Sequence, residues 1–352
     1  MPPFVVYSDL HLHNWPYGST LVDGYNSRLL QQVDVLRQIG DFCKQTNTQH
    51  LIFCGDFFHT HSQIATSVLS KAYEALANLR SGGLTMHFLR GNHDTADRAG
   101  AIHSLDFLRE FGRVTPLESH QRFSDGTTWN FLGYTEDEEK LYDFLDRVPH
   151  GGFVFLHQGV ANVPMGSGFV INEILRPDRI PDHIGHIFTG HYHNRRQVGE
   201  RITIIGSPMQ LNWSDVGEER GWLYYDGKQV YGIESKAPQF QTIDFGGCTT
   251  VQGASLSTMA FVFGNFLRVR NTGAGVSQES LRQELRTLGA LSVEFEGLPG
   301  EPKTISEGDE EAEFAVGLPE LLERFHRRYN VAPVRRRIGE RLREGRYEVP
   351  QV

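Results

Sequence analysis

Phe4-Val5-Val6-Tyr7-Ser8-Asp9-Leu10-His11 opens as an apolar, β-favouring run and ends on two metal-ligand side chains. It reads as a short buried strand, Phe4–Ser8, with chemistry at its carboxyl end. The layout recurs four times. His50–Cys54 leads into Gly55-Asp56, and Leu84–Leu89 into Arg90-Gly91-Asn92-His93-Asp94. Gly152–Leu156 leads into His157-Gln158, and His186–Thr189 into Gly190-His191-Tyr192-His193. Between these runs, apolar residues recur every three to four positions. Leu29, Leu30, Val33, Leu36, Ile39 and Phe42 predict a helix over Ser27–Thr46; Ile64–Arg80 and Glu136–Val148 are read as two more. Asp125-Gly126 and Asp226-Gly227 mark hairpins. Strands alternating with helices and then hairpins predict a layered α/β domain with a mixed sheet. In such sheets ligands bind beyond the carboxyl ends of the strands, so the five polar segments are expected to share one crevice.

The residue types suit a pair of divalent cations, which clamp the attacking and leaving oxygens of a phosphoryl displacement. Asp56, in the middle of the set, is the natural bridge. Asp9 and His11 lie two apart on an extended chain and reach the same side, as do His191 and His193. Gly55, Gly91 and Gly190 precede ligands where the chain is expected to turn sharply out of the sheet. Asp94 reads either as a turn former or as a carboxylate orienting His93. His13, His50, His61, His87, His103 and His120 fit no pattern and are read as ordinary core or surface residues.

Composition narrows the setting. The 352 residues carry 34 basic and 43 acidic side chains, a net charge of −9, which opposes binding nucleic acid through the overall field. A local basic patch, or a site meeting phosphates through cations, remains compatible. No run approaches a membrane span and no signal peptide is evident. Cys43, Cys54 and Cys248 lack metal spacing and suit a reducing compartment. The pattern changes near residue 240. Asn265–Arg270, Gln278–Leu288 and Leu291–Glu296 predict a small β-α-β module, followed by an acidic linker-like stretch, Gly297–Glu313. The tail from Leu318 is basic and helical in pattern, with nine Arg against five Glu.

The order D-x-H, G-D, G-N-H-D, H, G-H-x-H from Asp9 to His193 resembles the calcineurin-like metallophosphoesterase superfamily. That resemblance implies that Asp9, His11, Asp56 and His193 hold one ion, and Asp56, Asn92, His157 and His191 the other. It implies that His93 acts on the scissile phosphate, stabilising charge or protonating the leaving oxygen, with water activated by the cations as nucleophile. Gly55-Asp56-Phe57-Phe58-His59 and Gly206-Ser207-Pro208 are similar to segments of SbcD-like double-strand-break repair nucleases, which makes His59 a further catalytic candidate. Asp9–Trp15 resembles phage-encoded members. The resemblance implies a layered α/β metallophosphoesterase fold of mixed sheets flanked by helices, divided as a nuclease domain (1–245), a small α/β capping domain (246–305) and a linker with a helical ATPase-binding tail (306–352). Leu321, Leu322, Phe325, Val334, Ile338 and Leu342 would be the tail's apolar contacts, and Arg324, Arg327, Arg328 and Arg335–Arg337 candidate phosphate contacts. It further implies 3′-5′ exonuclease action on duplex DNA, endonuclease action on single strands, and a preference for Mn²⁺, with Mg²⁺, Fe²⁺ or Zn²⁺ as alternatives. The expected partners are DNA, an SbcC-like SMC-type ATPase and a second copy of the chain, in the cytoplasm (of the host, if phage-encoded). A phosphatase or cyclic-nucleotide phosphodiesterase on the same fold, or a mainly end-bridging interaction subunit, are the alternatives.

Overall fold

A computed structural model describes residues 1–96, 102–164, 173–247, 261–273 and 275–296. Seventeen strands and four α-helices alternate along them. The first sheet has six strands, in spatial order β14 (Val230–Glu234), β13 (Gly221–Tyr225), β1 (Phe4–Tyr7), β4 (His50–Cys54), β5 (Thr85–Leu89) and β6 (Gly112–Thr115). From β1 to β6 neighbours run parallel; β13 and β14 are antiparallel. The second sheet also has six: β11 (Arg196–Val198), β12 (Ile202–Ile204), β10 (His186–Thr189), β9 (Phe153–Leu156), β8 (Thr128–Leu132) and β7 (Glu118–Arg122). Its four inner strands are parallel, and both edge strands are antiparallel. A two-stranded ribbon, β2 (Leu21–Val22) with β3 (Tyr25–Asn26), precedes α1.

Alternation along each strand builds the layers. In β1, Val5 and Tyr7 face α1 (Ser27–Gln45) and α2 (Thr66–Ser81), in a core with Leu36, Ile39, Leu76 and Phe53. Phe4 and Val6 face the other way, meeting Trp129, Phe155 and Phe188 of the second sheet. In β9, Phe155 joins that middle core, whereas Val154 and Leu156 pack with Leu141, Phe144 and Leu145 of α3 (Glu138–Asp146). The result is helix, sheet, sheet, helix. Central strands buried on both faces must be apolar throughout, which is why their sequence runs are continuous rather than alternating.

A third sheet stacks three parallel strands, β15 (Phe240–Asp244), β16 (Phe266–Arg270) and β17 (Ser292–Phe295), with α4 (Gln278–Thr287) over its own small core of Ile243, Leu267, Val269, Leu281 and Leu285. Its first strand comes from residues that the sequence alone assigns to the end of the first domain. The buried Arg28 of α1 ties this sheet to the body. Its guanidinium lies 5.1 and 4.6 Å from the rings of Phe240 and Phe266 and donates to Leu211 O at 2.9 Å.

Helices and central strands fall within a few residues of expectation. β6, β7 and β11 carry no sequence signal that predicts them. All three lie at sheet edges, and edges carry polar side chains that blunt further pairing. Glu118-Ser119-His120-Gln121-Arg122 has no apolar residue for periodicity to register. Cys248, the acidic linker and the whole tail from residue 306, with its apolar and arginine contacts, lie outside the described residues. Among the described residues no helix is long and apolar enough to cross a membrane.

Candidate metal centre

Every predicted ligand sits just past the carboxyl end of a parallel strand: Asp9 and His11 after β1, Asp56 after β4, Asn92 after β5, His157 after β9, His191 and His193 after β10. Backbone pairing continues beyond the sheet and draws these loops together. Asp9 N donates to Gly55 O at 3.0 Å, and His11 N to Asp56 O at 3.0 Å. Gln32 of α1, fully buried, donates to the carbonyls of Leu10 and His11 at 2.8 and 2.7 Å. The two sheets are joined by Asp9, whose carboxylate accepts His191 N–H at 3.1 Å. The Gly206-Ser207-Pro208 segment props the last loop. Ser207 N donates to His193 O at 2.9 Å, and Arg220, paired with Asp215, donates to the same carbonyl.

The donor atoms converge. His157 Nε2 is 3.2 Å from Asp56 Oδ2 and 3.1 Å from Asn92 Oδ1, and His191 Nδ1 is 3.1 Å from the same Asn92 oxygen. His11 Nε2 is 3.6 Å from Asp56 Oδ2 and 3.2 Å from His193 Nε2. Asp9, His11 and His193 form one group able to hold an ion; Asp9, Asp56 and His157 form another. The carboxylates of Asp9 and Asp56 belong to residues 0% and 2% exposed. Buried charge at this depth requires compensation.

Burial and neighbouring charges set what the site favours. Burial pushes Asp9 up. Burial acts the same way on Asp56, but the imidazoles of His157, His93 and His11 override it and hold its carboxyl well below the usual range. His157 is opposed by desolvation yet is raised to about 9, because Asp56 and Asp9 demand a positive neighbour. Burial and the neighbouring imidazoles hold His11 well below its ordinary value, so its ring stays neutral with a nitrogen lone pair to offer. Nitrogen and oxygen donors, buried and short of positive charge, fit divalent cations.

Ring orientation is settled by carbonyls, which only accept. His157 Nδ1 donates to Cys54 O at 2.6 Å, leaving Nε2 toward Asp56. His93 Nδ1 donates to His59 O at 2.7 Å, which fixes the orientation of its ring. His93 N–H also donates to Asp56 Oδ1 at 2.9 Å.

Backbone strain concentrates here. Asp9 (φ 53°), His11 (46°), Asp56 (61°) and His191 (83°) are left-handed, an unusual conformation for histidine. Of the three expected glycine turns, only Gly55 has the left-handed φ, 95°. Gly91 and Gly190 are present for space: a side chain would strike Asp56 at the first, and Ser8 and Cys54 O at the second. Asp94 takes neither of its expected roles alone. Its two oxygens accept the backbone N–H groups of Asp56, Phe57 and Gly91, each at 2.9 Å, locking the Asp56 loop to the His93 loop.

His59 lies at the rim, with Nδ1 3.4 Å from His11 Nδ1 and its ring stacked toward His93 at 5.5 Å. Burial and His93 lower its pKa to about 3. Two histidines read as ordinary prove to be neighbours of the site. His61 stacks on His93 at 4.6 Å, and His13 lies 5.2 Å from His59. His50 and His87 instead pack around Trp129 between the sheets. Sequence reading misses Gln32 and Glu173. Neither belongs to a motif; the one available signal for Glu173 is a lone acid in the apolar stretch Phe169–Leu175.

Named relatives are similar to this chain at low identity. Exonuclease subunit 1 of Enterobacteria phage T4 is 23% identical over 228 residues, covering 62% of this chain and 64% of the relative. The DNA double-strand break repair protein Mre11 of Sulfurisphaera tokodaii is 24% identical over 267 residues, covering 72% and 62%. An SbcCD nuclease subunit of Bacillus subtilis is 23% identical over 264 residues, covering 62% and 66%. The chain thus spans half to two thirds of the length of such relatives. The calcineurin-like phosphoesterase profile matches residues 2–218, from before the first ligand to past the last. With that match laid over a buried, cation-seeking cluster at the strand ends, the chain belongs to the calcineurin-like phosphoesterase family of dinuclear-metal-dependent hydrolases.

Proposed function

We propose that this chain is a metal-dependent DNA nuclease subunit of the SbcD type. The observation that carries the reading is the convergence of seven donor side chains around Asp56, itself one of them, with His93 beside them and its Nδ1 already engaged. Asp9, His11, Asp56 and His193 would hold one ion, and Asp56, Asn92, His157 and His191 the other. Two such ions supply Lewis-acid polarisation of a phosphoryl group and activation of water near neutral pH. The chain's own residues do the rest. Asp9 and Asp94 hold the loops in register, so the donors meet without reorganisation. His93, turned by its bond to His59 O, presents Nε2 to a phosphate oxygen, stabilising charge or protonating the leaving group. His59, stacked toward His93 at the rim, would meet the phosphate alongside it.

The names of the relatives support DNA as substrate. We extend the reading to 3′-5′ exonuclease action on duplex ends, endonuclease action on single strands, Mn²⁺ as the working ion, a homodimer, and an SbcC-like ATPase partner engaged by residues 306–352, with 246–305 as the cap. The test is cleavage of end-labelled linear duplex and single-stranded DNA, with and without Mn²⁺, beside a small chromogenic phosphodiester. DNA cleavage of 3′-5′ polarity that His93→Ala lowers by about 10²–10⁴-fold, with DNA binding retained, supports the reading. Hydrolysis of the small ester alone would favour a phosphatase or cyclic-nucleotide phosphodiesterase. Binding and bridging of DNA ends without cleavage would favour an interaction subunit.

A further inference from the structure

Glu173 has a place in the site that no motif assigns. Its carboxylate lies 3.8 Å from His191 Nε2. Tyr192 OH donates to Glu173 Oε1 at 3.3 Å. Gly159, just after His157, leaves the room the carboxylate occupies; any side chain there would run into it. The rings of Tyr134 and Tyr192 lie near-parallel to that of His191, at centroid distances of 5.8 and 5.6 Å. The imidazole is therefore held with one edge toward Glu173 and the other, Nδ1, toward Asn92 Oδ1 at 3.1 Å.

Those two edges compete for one proton, since a neutral imidazole carries a single N–H. With the proton on Nδ1, it is donated to Asn92 Oδ1, and two donor atoms of the same ion site consume one another. With the proton on Nε2, it faces the carboxylate 3.8 Å away, and Nδ1 keeps a lone pair for a cation and no longer draws on Asn92 Oδ1. An anion beside Nε2 favours the second arrangement, the usual way an outer carboxylate orients a metal-ligating histidine.

We propose that Glu173 is a positioning residue that keeps the His191 proton on Nε2 and thereby opens the second cation site. The inference rests on the two-metal reading and is tested so that the two can fail separately. Mn²⁺ is titrated into the full chain by calorimetry, and the spin coupling of neighbouring ions is followed by electron paramagnetic resonance. The variants are Glu173→Met, which keeps the volume without an acceptor, and Glu173→Gln, whose amide oxygen still accepts. The wild type is expected to take two ions with a spin-coupled signal. Glu173→Met should bind the first ion normally and the second about 10–100-fold more weakly, giving an isolated-ion signal at two equivalents. Glu173→Gln should fall between them, and metal-free melting should be unchanged in both. If Glu173→Met fails to fold, Glu173→Ala takes its place in the same comparison. A wild type that binds two ions alongside variants that bind both equally well overturns the role of Glu173 alone. Equal weakening of both ions overturns it too, because the residue would then support the whole site. A wild type that binds fewer than two ions overturns the two-metal reading and this inference together.

Discussion

A few residues along the chain separate two equally buried regions with opposite chemistry. Phe4, Val6, Phe155 and Phe188 fill the space between the sheets; Asp9, His11, Asp56 and His157, at the ends of the same layers, are as deeply enclosed. The first region is stable because burial removes apolar surface from water. The second contains charges that burial penalises, closely opposed donors, and left-handed backbone that costs local steric strain. That arrangement is tolerated because the packed sandwich fixes the loops that bear it, and because its donors suit a cation rather than one another.

Substitutions can break that contrast from either side. Asp56→Ala removes the carboxylate proposed to serve both ions and should have the largest effect, about a thousandfold or more in phosphodiester kcat/KM with Mn²⁺, while the apolar sandwich still folds by circular dichroism. Phe155→Ala attacks the other region. It should cost about 3–5 kcal/mol in denaturant unfolding, yet leave Mn²⁺ stoichiometry intact in the chains that remain folded. Retained hydrolysis in the first, or lost metal binding in the folded second, would dissolve the distinction between scaffold and site.

A gentler probe is pH. In the metal-free chain His157 titrates near 9, above its ordinary 6.5, so the stabilisation it contributes is complete below about pH 6.5 and fades as pH rises through 9. Metal binding at His157 displaces that proton, so Mn²⁺ affinity should rise between pH 7 and 9 and uptake should release protons into weak buffer. Melting temperatures with and without Mn²⁺ should therefore diverge as pH increases. Convergence instead would mean that His157 is not a ligand.

Much of this is legible before any coordinates. Continuous apolar runs such as Phe4–Tyr7 and His50–Cys54 signal strands covered on both faces, and ligand types placed directly after them signal a site at the strand ends. Edge strands such as Glu118–Arg122 are illegible because their polar side chains carry no apolar pattern. His13 and His61 look ordinary because nothing in their spacing reveals that the loops bearing them fold back beside His59 and His93.

The chain's local chemistry specifies its strands, its helices and the identity of the donors, because periodicity and side-chain type act over a few residues. Which nitrogen of each imidazole faces the site, why Gly91 and Gly190 must lack a side chain, what Asp94 holds, and that Gln32 and Glu173 belong to the centre at all come from contacts spanning from a few residues to more than a hundred along the chain. Those contacts exist only once two sheets have packed and their loops compete for the same small volume.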